Sequence, residues 1–324
     1  MIDILIPAYN SHETIEYTLF SLAYQNIANK LNIYIINDGS KNNYSNFIKF
    51  FKKNFNSIQE LTLSKNKGPG YARNYGIKNS NSDYIIFIDS DDIISSPFSI
   101  SNLYNKIIDD ANDVVISKIV DETDYGLFEL DYSLEYLHGK IYSRNYIMKN
   151  NIKFSNTRFA EDIAFNKSIF LQESNISYLN EVTYIWKNNK NSITRRAGNS
   201  IVYKYIYEYI YNNLYAIKIA LKGKPNIFRI SKNIFETLVY FYLCYISYND
   251  VADFKDSYKI ILELIDLSIK YPINNYNKNL IIKNKINEFS NEWNIDMFKL
   301  INSNISFNDF IKEVKNDWYN NTCL

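Results

Sequence analysis

The stretch Tyr84–Ser96 reads YIIFIDSDDIISS. Its first half, Tyr84 to Ile88, is an unbroken apolar run, the pattern of a strand covered on both faces. Its second half sets the three carboxylates of Asp89, Asp91 and Asp92 within four residues, where like charges repel and nothing apolar welcomes them. Upstream lie three more strand patterns, IDILIPAY, LNIYIIND and IQELTLSKN. Between them lie the helical patterns SHETIEYTLFSLAYQ, NYSNFIKFFKKNF and GPGYARNYGIKNS. In the first of these Ile15, Leu19, Leu22 and Ala23 recur at helical spacing, with Ser11 placed as N-cap. Strand–helix alternation implies right-handed crossovers and a mainly parallel sheet. Ligands of such sheets sit beyond the carboxyl ends of the strands. Pro7 to Asn10, Asn37 to Ser40 and Asp89 to Asp92 all fall at those ends.

Downstream, a helix over about residues 100–111 precedes the strand DVVISKIV, and a less regular segment follows. From about Ser200 every pattern is helical, beginning with NSIVYKYIYEYIYNNLYAIKIALKG, which ends at Gly223 and Pro225. The expected organisation is an α/β domain over residues 1–197 and an all-helical part over residues 198–324. Tyr203, Tyr207, Ile210, Tyr211 and Leu214 recur at helix spacing, the pattern of a packing stripe. Packing or dimerisation is the expected role of this part, with a membrane-interface contact as the other use of Tyr-rich amphipathic helices.

Composition narrows the class. The chain of 324 residues is 46% apolar and carries a net charge of +1, with both parts near neutral. That balance lacks the basic footprint of a dedicated duplex nucleic-acid binder. No apolar run reaches bilayer-spanning length, and the N-terminal MIDILIPAYN begins a strand without the marks of a secretory leader. The two cysteines, Cys244 and Cys323, have no metal or redox spacing. These features lead to the expectation of a cytoplasmic protein, if membrane-associated then at the inner face.

The acidic cluster suits a hard divalent cation, which takes one or two carboxylates from protein and the rest from phosphate and water. If the backbone stays extended, strand alternation puts Asp89 and Asp91 on one side and Ser90 on the other. Taken alone, the cluster reads first as an acidic turn or a helix N-terminus, where carboxylates meet the macrodipole.

It is not alone. IPAYNSHETIEYTLFSL, NDGS, KGPGYARNYGI and FIDSDD, in this order and at these strand and helix ends, resemble family 2 glycosyltransferases of the GT-A fold, over about residues 1–195. The resemblance implies a Rossmann-like, mainly parallel sheet flanked by helices, with the C-terminal helices as an extension. It implies that Pro7, Ala8 and Tyr9 wall a nucleotide base and that Asp38 hydrogen-bonds the uracil of UDP. It places Arg73, with Asn66 and Lys67, on the donor side. Asp89 is implied at the ribose or metal, Asp91 as the main metal ligand, and Asp92 in support, with Ser90 counted among the donor-side residues. FAEDIAF resembles the family's acidic pair, in which Asp162 removes the acceptor proton beside Glu161. HGKIYSRNYI resembles the stretch that precedes this pair in bacterial members, which implies Lys140 at the donor phosphate or acceptor. In YIWKNNKNSIT, Lys187 stands where relatives often carry Arg, a change that loses bidentate contacts, with Arg195 and Arg196 nearby. Of the two histidines, His12 reads as a surface residue and His138 as a weak metal-side candidate.

The activity so implied is inverting, metal-dependent transfer of glucose, galactose or N-acetylhexosamine from a UDP-sugar to a hydroxyl of a glycan, cell-wall polymer or protein, with Mn²⁺ or Mg²⁺ as cofactor. The alternatives are a non-catalytic sugar-nucleotide binder and glycosylation of a hydroxylated DNA base. A nucleotidyltransferase is disfavoured because IPAYNSHET lacks a glycine-rich phosphate loop.

Overall fold

The apolar run Ile2–Ala8 forms the central strand β1 of the computed structural model, which describes residues 1–189, 201–247, 255–274, 278, 280–287 and 306–322. β1 pairs in parallel with β2 (Leu31–Asn37) from Ile2↔Leu31 to Ala8↔Asn37, and with β4 (Tyr84–Phe87) from Ile2↔Tyr84 to Leu5↔Phe87. β3 (Ser57–Thr62) extends the parallel set beyond β2. Helices α1 (Ile15–Ala23), α2 (Ser45–Phe51) and α3 (Pro69–Asn79) connect these strands. β1 and β2 are buried almost throughout, so their sequences are apolar on both faces instead of alternating. The polar exceptions are Asn32 and Asn37 of β2 and Asp3, fully buried in β1. Asp3 accepts hydrogen bonds from Asn32 Nδ2, from the amides of Asn81 and Ser82 and from Ser82 Oγ, which tie the entry of β4 to the start of β1.

The second half of the sheet is mixed. β5 (Ile93–Ile94), α4 (Ser99–Asp109), β6 (Val114–Thr123), β7 (Gly126–Leu130), β8 (Lys140–Ser143), α5 (Arg144–Lys149), α6 (Glu161–Phe170) and β9 (Ile176–Trp186) follow in the chain. The nine described strands lie in the order β3-β2-β1-β4-β8-β6-β9-β5, with β7 paired to β6. β8 is antiparallel to both β4 and β6, so β6 and its parallel partner β9 run with β1 to β4, while β5, β7 and β8 run against them. The order 3-2-1-4 reverses at β1, which opens a crevice beyond the carboxyl ends of β1 and β4.

Two sequence readings change. The expected cap of the first helix is not made by the Ser11 side chain. α1 begins after Thr14, and the Ser11 carbonyl accepts the amides of Thr14 and Ile15. The alternation expected through Asp91 also fails. β4 ends at Phe87, and the Asp92 amide bonds the Asp89 carbonyl at 3.1 Å, so Asp89–Asp92 is a turn.

By its contacts the chain divides into two compact units, Met1–Ser192 and Ile193–Leu324. The second contains helices Ile201–Lys222, Ile227–Ser247, Lys255–Lys270 and Phe307–Thr322. In the first of these Ile206, Ile210, Leu214 and Ile217 are buried, whereas Tyr207 is exposed and stacks on Tyr211. The expected stripe therefore splits between core and surface. The side chain of Tyr203, residues 190–194 of the late motif, Arg195, Arg196, the expected boundary at 197/198 and Cys323 lie outside the described residues. No described helix is long and apolar enough to cross a membrane.

Gly70, in the first turn of α3, links fold and crevice: a Cβ there would meet the Ser155 carbonyl at 2.7 Å and Glu161 Cγ at 2.9 Å. Overpacking of this kind costs about 1–3 kcal/mol. Gly70→Ala is expected to lower stability by that amount in urea denaturation; an unchanged midpoint would show that the 155–161 segment yields freely.

Candidate active site

Pro69 starts α3, where its missing N–H removes no helix hydrogen bond. Gly68 before it has φ +91°, a backbone that favours glycine. The amides of Lys67 and Gly68 both donate to the buried Asp38 carboxylate, each at 2.8 Å. Burial raises the Asp38 pKa against the pull of these two amides. Gly39 closes the same turn: its φ is +75°, and a Cβ would lie 2.6 Å from the Asn66 amide nitrogen. NDGS and the start of α3 are thus one interlocked unit.

One turn into α3 stands Arg73, 4% exposed. Its Nη1 donates to Glu161 Oε1 and its Nη2 to Asp89 Oδ1, both at 2.7 Å, while the buried Nε has no partner among the described residues. The guanidinium also lies 5.5 Å from the centre of the Phe154 ring. Burial alone would weaken its charge, but Asp89 and Glu161 outweigh burial and hold Arg73 firmly protonated. Arg73 thus bridges the acidic turn and the acidic pair, two segments far apart in sequence.

The three aspartates of the turn separate. Burial opposes ionisation of Asp89, yet Arg73 and His138 hold it well below the usual carboxylate range. Asp91 is half-buried and accepts from Asn189 Nδ2 at 2.6 Å; burial and the Asp89 charge raise its pKa. Asp92 is 1% exposed. Its Oδ2 accepts from the Tyr184 hydroxyl at 2.6 Å, its Oδ1 from the Lys187 amide at 2.8 Å, and its carbonyl from Thr18 Oγ1 at 2.7 Å. Burial pushes its pKa up to about 7. Ser90 between them is buried.

His138 faces this turn. Its Nε2 lies 3.5 Å from Asp89 Oδ2 and 3.8 Å from Asp92 Oδ2, and its ring stacks on Tyr184 at 4.7 Å. Among the described residues, single ligand atoms of Asp89, Asp92 and His138 lie within 4.8 Å of one another, a group that could hold a cation. Asp91, the main ligand expected from the sequence, is outside that group. Lys140 is not on the crevice surface. It is 2% exposed, and its ammonium donates to the carbonyls of Tyr136 and His138, with burial lowering its pKa to about 7. It therefore holds the loop that carries His138.

On the other side, α6 begins after Ala160, which takes a left-handed conformation at φ +59°. Glu161 is buried and committed to Arg73; burial and the neighbouring Asp162 charge raise its pKa to about 7. Asp162 is half-buried. Its Oδ1 accepts its neighbour Ile163 amide at 2.8 Å, and its side chain makes no other hydrogen bond among the described residues. Burial raises its pKa, with Arg73 opposing. At the lip of the crevice, Ala8 is buried, Pro7 half-buried and Tyr9 53% exposed. Asn66 is half-buried, and the exposed Lys67 donates to the Tyr71 hydroxyl. His12 stacks on the buried Tyr44 ring, away from the acidic turn.

The family model described as "Glycosyl transferase family 2" matches residues 3–165, which include every one of these segments up to the acidic pair. The chain belongs to glycosyl transferase family 2. Among similar proteins, glycosyltransferase GlyA of Streptococcus pneumoniae is 24% identical over 221 residues, covering 60% of this chain and 31% of GlyA. The poly(ribitol-phosphate) beta-glucosyltransferase of Bacillus spizizenii is 26% identical over 222 residues, covering 63% of this chain and 34% of that enzyme. The chain thus spans about a third of the length of these two relatives. The crystal structure of S. aureus TarS 1-349 in complex with UDP-GlcNAc superposes with a TM-score of 0.66 at 18% identity, covering 90% of this chain and 91% of that one. The fold is GT-A.

Sequence reasoning about this family 2 chain missed the partners that sort the aspartates. Tyr184 lay within a segment already matched to the family, but nothing local marked its hydroxyl as the cap of Asp92. Arg158 was also missed: it is exposed and close enough to lower the Asp38 pKa. The raised pKa of Asp92 has a definite sign. A carboxyl easier to protonate in the folded state stabilises the fold most below its unfolded pKa, and that contribution is lost as pH rises through about 7. Unfolding followed from pH 4 to pH 8 is expected to show this decline in the wild type and a flatter profile in Asp92→Asn; identical profiles would refute the assignment.

Proposed function

We propose that this chain transfers a sugar from a UDP-sugar to a hydroxyl group of a cell-wall polymer, inverting the anomeric carbon, with a divalent cation at the acidic turn. The observation that carries the reading is the Arg73 bridge, which sets Asp89 of the turn and Glu161 of the acidic pair on one buried guanidinium. The names of the relatives support a polymer acceptor, and the UDP-GlcNAc held by TarS supports the donor class.

The donor set fits a hard or borderline divalent ion: carboxylate oxygens with one imidazole nitrogen nearby. Both oxygens of Asp92 are already taken by Tyr184 and Lys187, and one of Asp89 by Arg73. That leaves Asp89 Oδ2 and the second oxygen of Asp91 as the least committed carboxylate atoms, so Asp89 and Asp91 are assigned as ligands and Asp92 as their anchor. A bound cation would supply Lewis-acid stabilisation of the leaving diphosphate.

The remaining roles belong to side chains. Tyr9 with Pro7 and Ala8 offers a wall for the base, and Asp38 holds the Lys67–Gly68 backbone beside it. Glu161 is spent on Arg73, which selects Asp162 as the base. Its pKa, raised by burial, makes it a better proton acceptor than a surface aspartate. A direct displacement with Asp162 as base needs no covalent enzyme intermediate. The helical unit is assigned to packing or to the acceptor side.

Two substitutions test this. Asp162→Asn is expected to keep UDP affinity within about twofold while transfer, read as UDP release in the presence of polymer, falls by at least ~10²-fold; near wild-type turnover would remove Asp162 from the role of base. Asp91→Ala is expected to abolish the gain in UDP affinity on adding Mn²⁺ in calorimetry. A gain that survives in Asp91→Ala would move the ligand role to Asp92 and His138.

A further inference from the structure

The outward faces of α1 and α2 carry a surface that the crevice does not use. Tyr17 and Phe20 of α1 and Tyr24, the residue that caps it, follow one another at helical spacing and are 69%, 48% and 76% exposed, and Phe50 of α2 is 66% exposed. Phe20 and Phe50 meet edge to face at 5.9 Å, and both rest on the buried Phe51 ring at 4.9 Å. The rings at the centre of this surface therefore form one cluster with a fixed base. Isolated exposed apolar residues need no explanation, but a contiguous patch marks an interaction surface.

The charge around the patch says what kind of surface it meets. Residues 39–59 contain Lys41, Lys49, Lys52 and Lys53 and no carboxylate. All four lysines are exposed, and none forms an ion pair among the described residues. The opposing charges on these helices are Glu13, just before α1, and Glu16 in its first turn. Protein–protein interfaces are depleted in lysine. A helical surface that combines exposed Phe and Tyr with uncompensated lysines has the composition of one lying in the headgroup region of a bilayer, where the rings enter the acyl boundary and the ammonium groups meet lipid phosphates. We infer that the α1–α2 face docks this protein on an anionic phospholipid membrane. The inference is independent of the reaction proposed above.

Co-sedimentation of the full chain with vesicles tests it, using phosphatidylcholine alone and phosphatidylcholine with about a quarter phosphatidylglycerol. The wild type is expected to bind the anionic vesicles at least ~10-fold more tightly than the neutral ones, and to lose this preference in high salt. Lys49→Gln/Lys52→Gln/Lys53→Gln and, separately, Tyr17→Ser/Tyr24→Ser/Phe50→Ser are each expected to lose at least ~10-fold in anionic-vesicle affinity. Circular dichroism checks their fold, and Phe50→Ser alone serves if the aromatic triple variant does not fold. The inference is overturned if the wild type ignores anionic vesicles at low salt or binds both kinds equally, or if folded variants bind as the wild type does. It is also overturned if the wild type is a dimer that the aromatic variant makes monomeric without any vesicle binding, which would make this face a protein interface.

Discussion

A guanidinium buried to 4% exposure has to be met by opposite charge, and in this protein that requirement organises the crevice. Arg73 projects from α3 and is satisfied only if the acidic turn after β4 and the start of α6 both come to it. Removing one partner of such a pair typically costs about 3–5 kcal/mol, because a charge is then left buried and uncompensated. The approach is possible because Gly70 has no side chain to hold the 155–161 segment away. The conformational freedom of Gly39 and Gly68 lets the β2 end and the α3 start close around Asp38.

The crowding of negative charge after β4 is resolved by giving each carboxylate a different neighbourhood. Asp89 is neutralised by Arg73 and faced by His138. Asp92 is withdrawn into the protein and bonded to Tyr184 and the Lys187 amide. Asp91 keeps the lightest protein commitment, the Asn189 amide being its one side-chain partner among the described residues. What looks in one dimension like a uniform acidic run becomes three groups of unequal acidity, and unequal acidity is what a site needs if its carboxylates are to divide tasks.

Much of this architecture is legible in the sequence, for physical reasons. β1, β2 and β4 are buried on both faces, so their apolar runs announce themselves, while the turn chemistry of NDGS marks the end of β2 and that of KGPG the start of α3. The mixed half is less legible. β8 has only four residues and owes its place between β4 and β6 to long-range pairing, which leaves no local periodic mark. The same limit applies to the site. The residue types were readable, but the partners of Arg73 and the burial of Asp92 depend on segments brought together only by the fold. Strand alternation also misled at Asp91, because it presumes extended backbone where the chain turns.

The position of β1 has a consequence for how the chain is made. The strand at the centre of the parallel set precedes both partners that enclose it, and its second edge stays open until Tyr84 to Phe87 have been synthesised and can leave the ribosome. Until then a growing chain presents an apolar strand edge with unpaired amides and carbonyls, the kind of surface that invites pairing with other chains. Asp3 sharpens the point, since its hydrogen-bond donors on the β4 side, the amides of Asn81 and Ser82, arrive just before that strand. A fragment ending between β3 and β4 would therefore be a poor unit for expression, whereas one that extends through the acidic turn has its central strand enclosed.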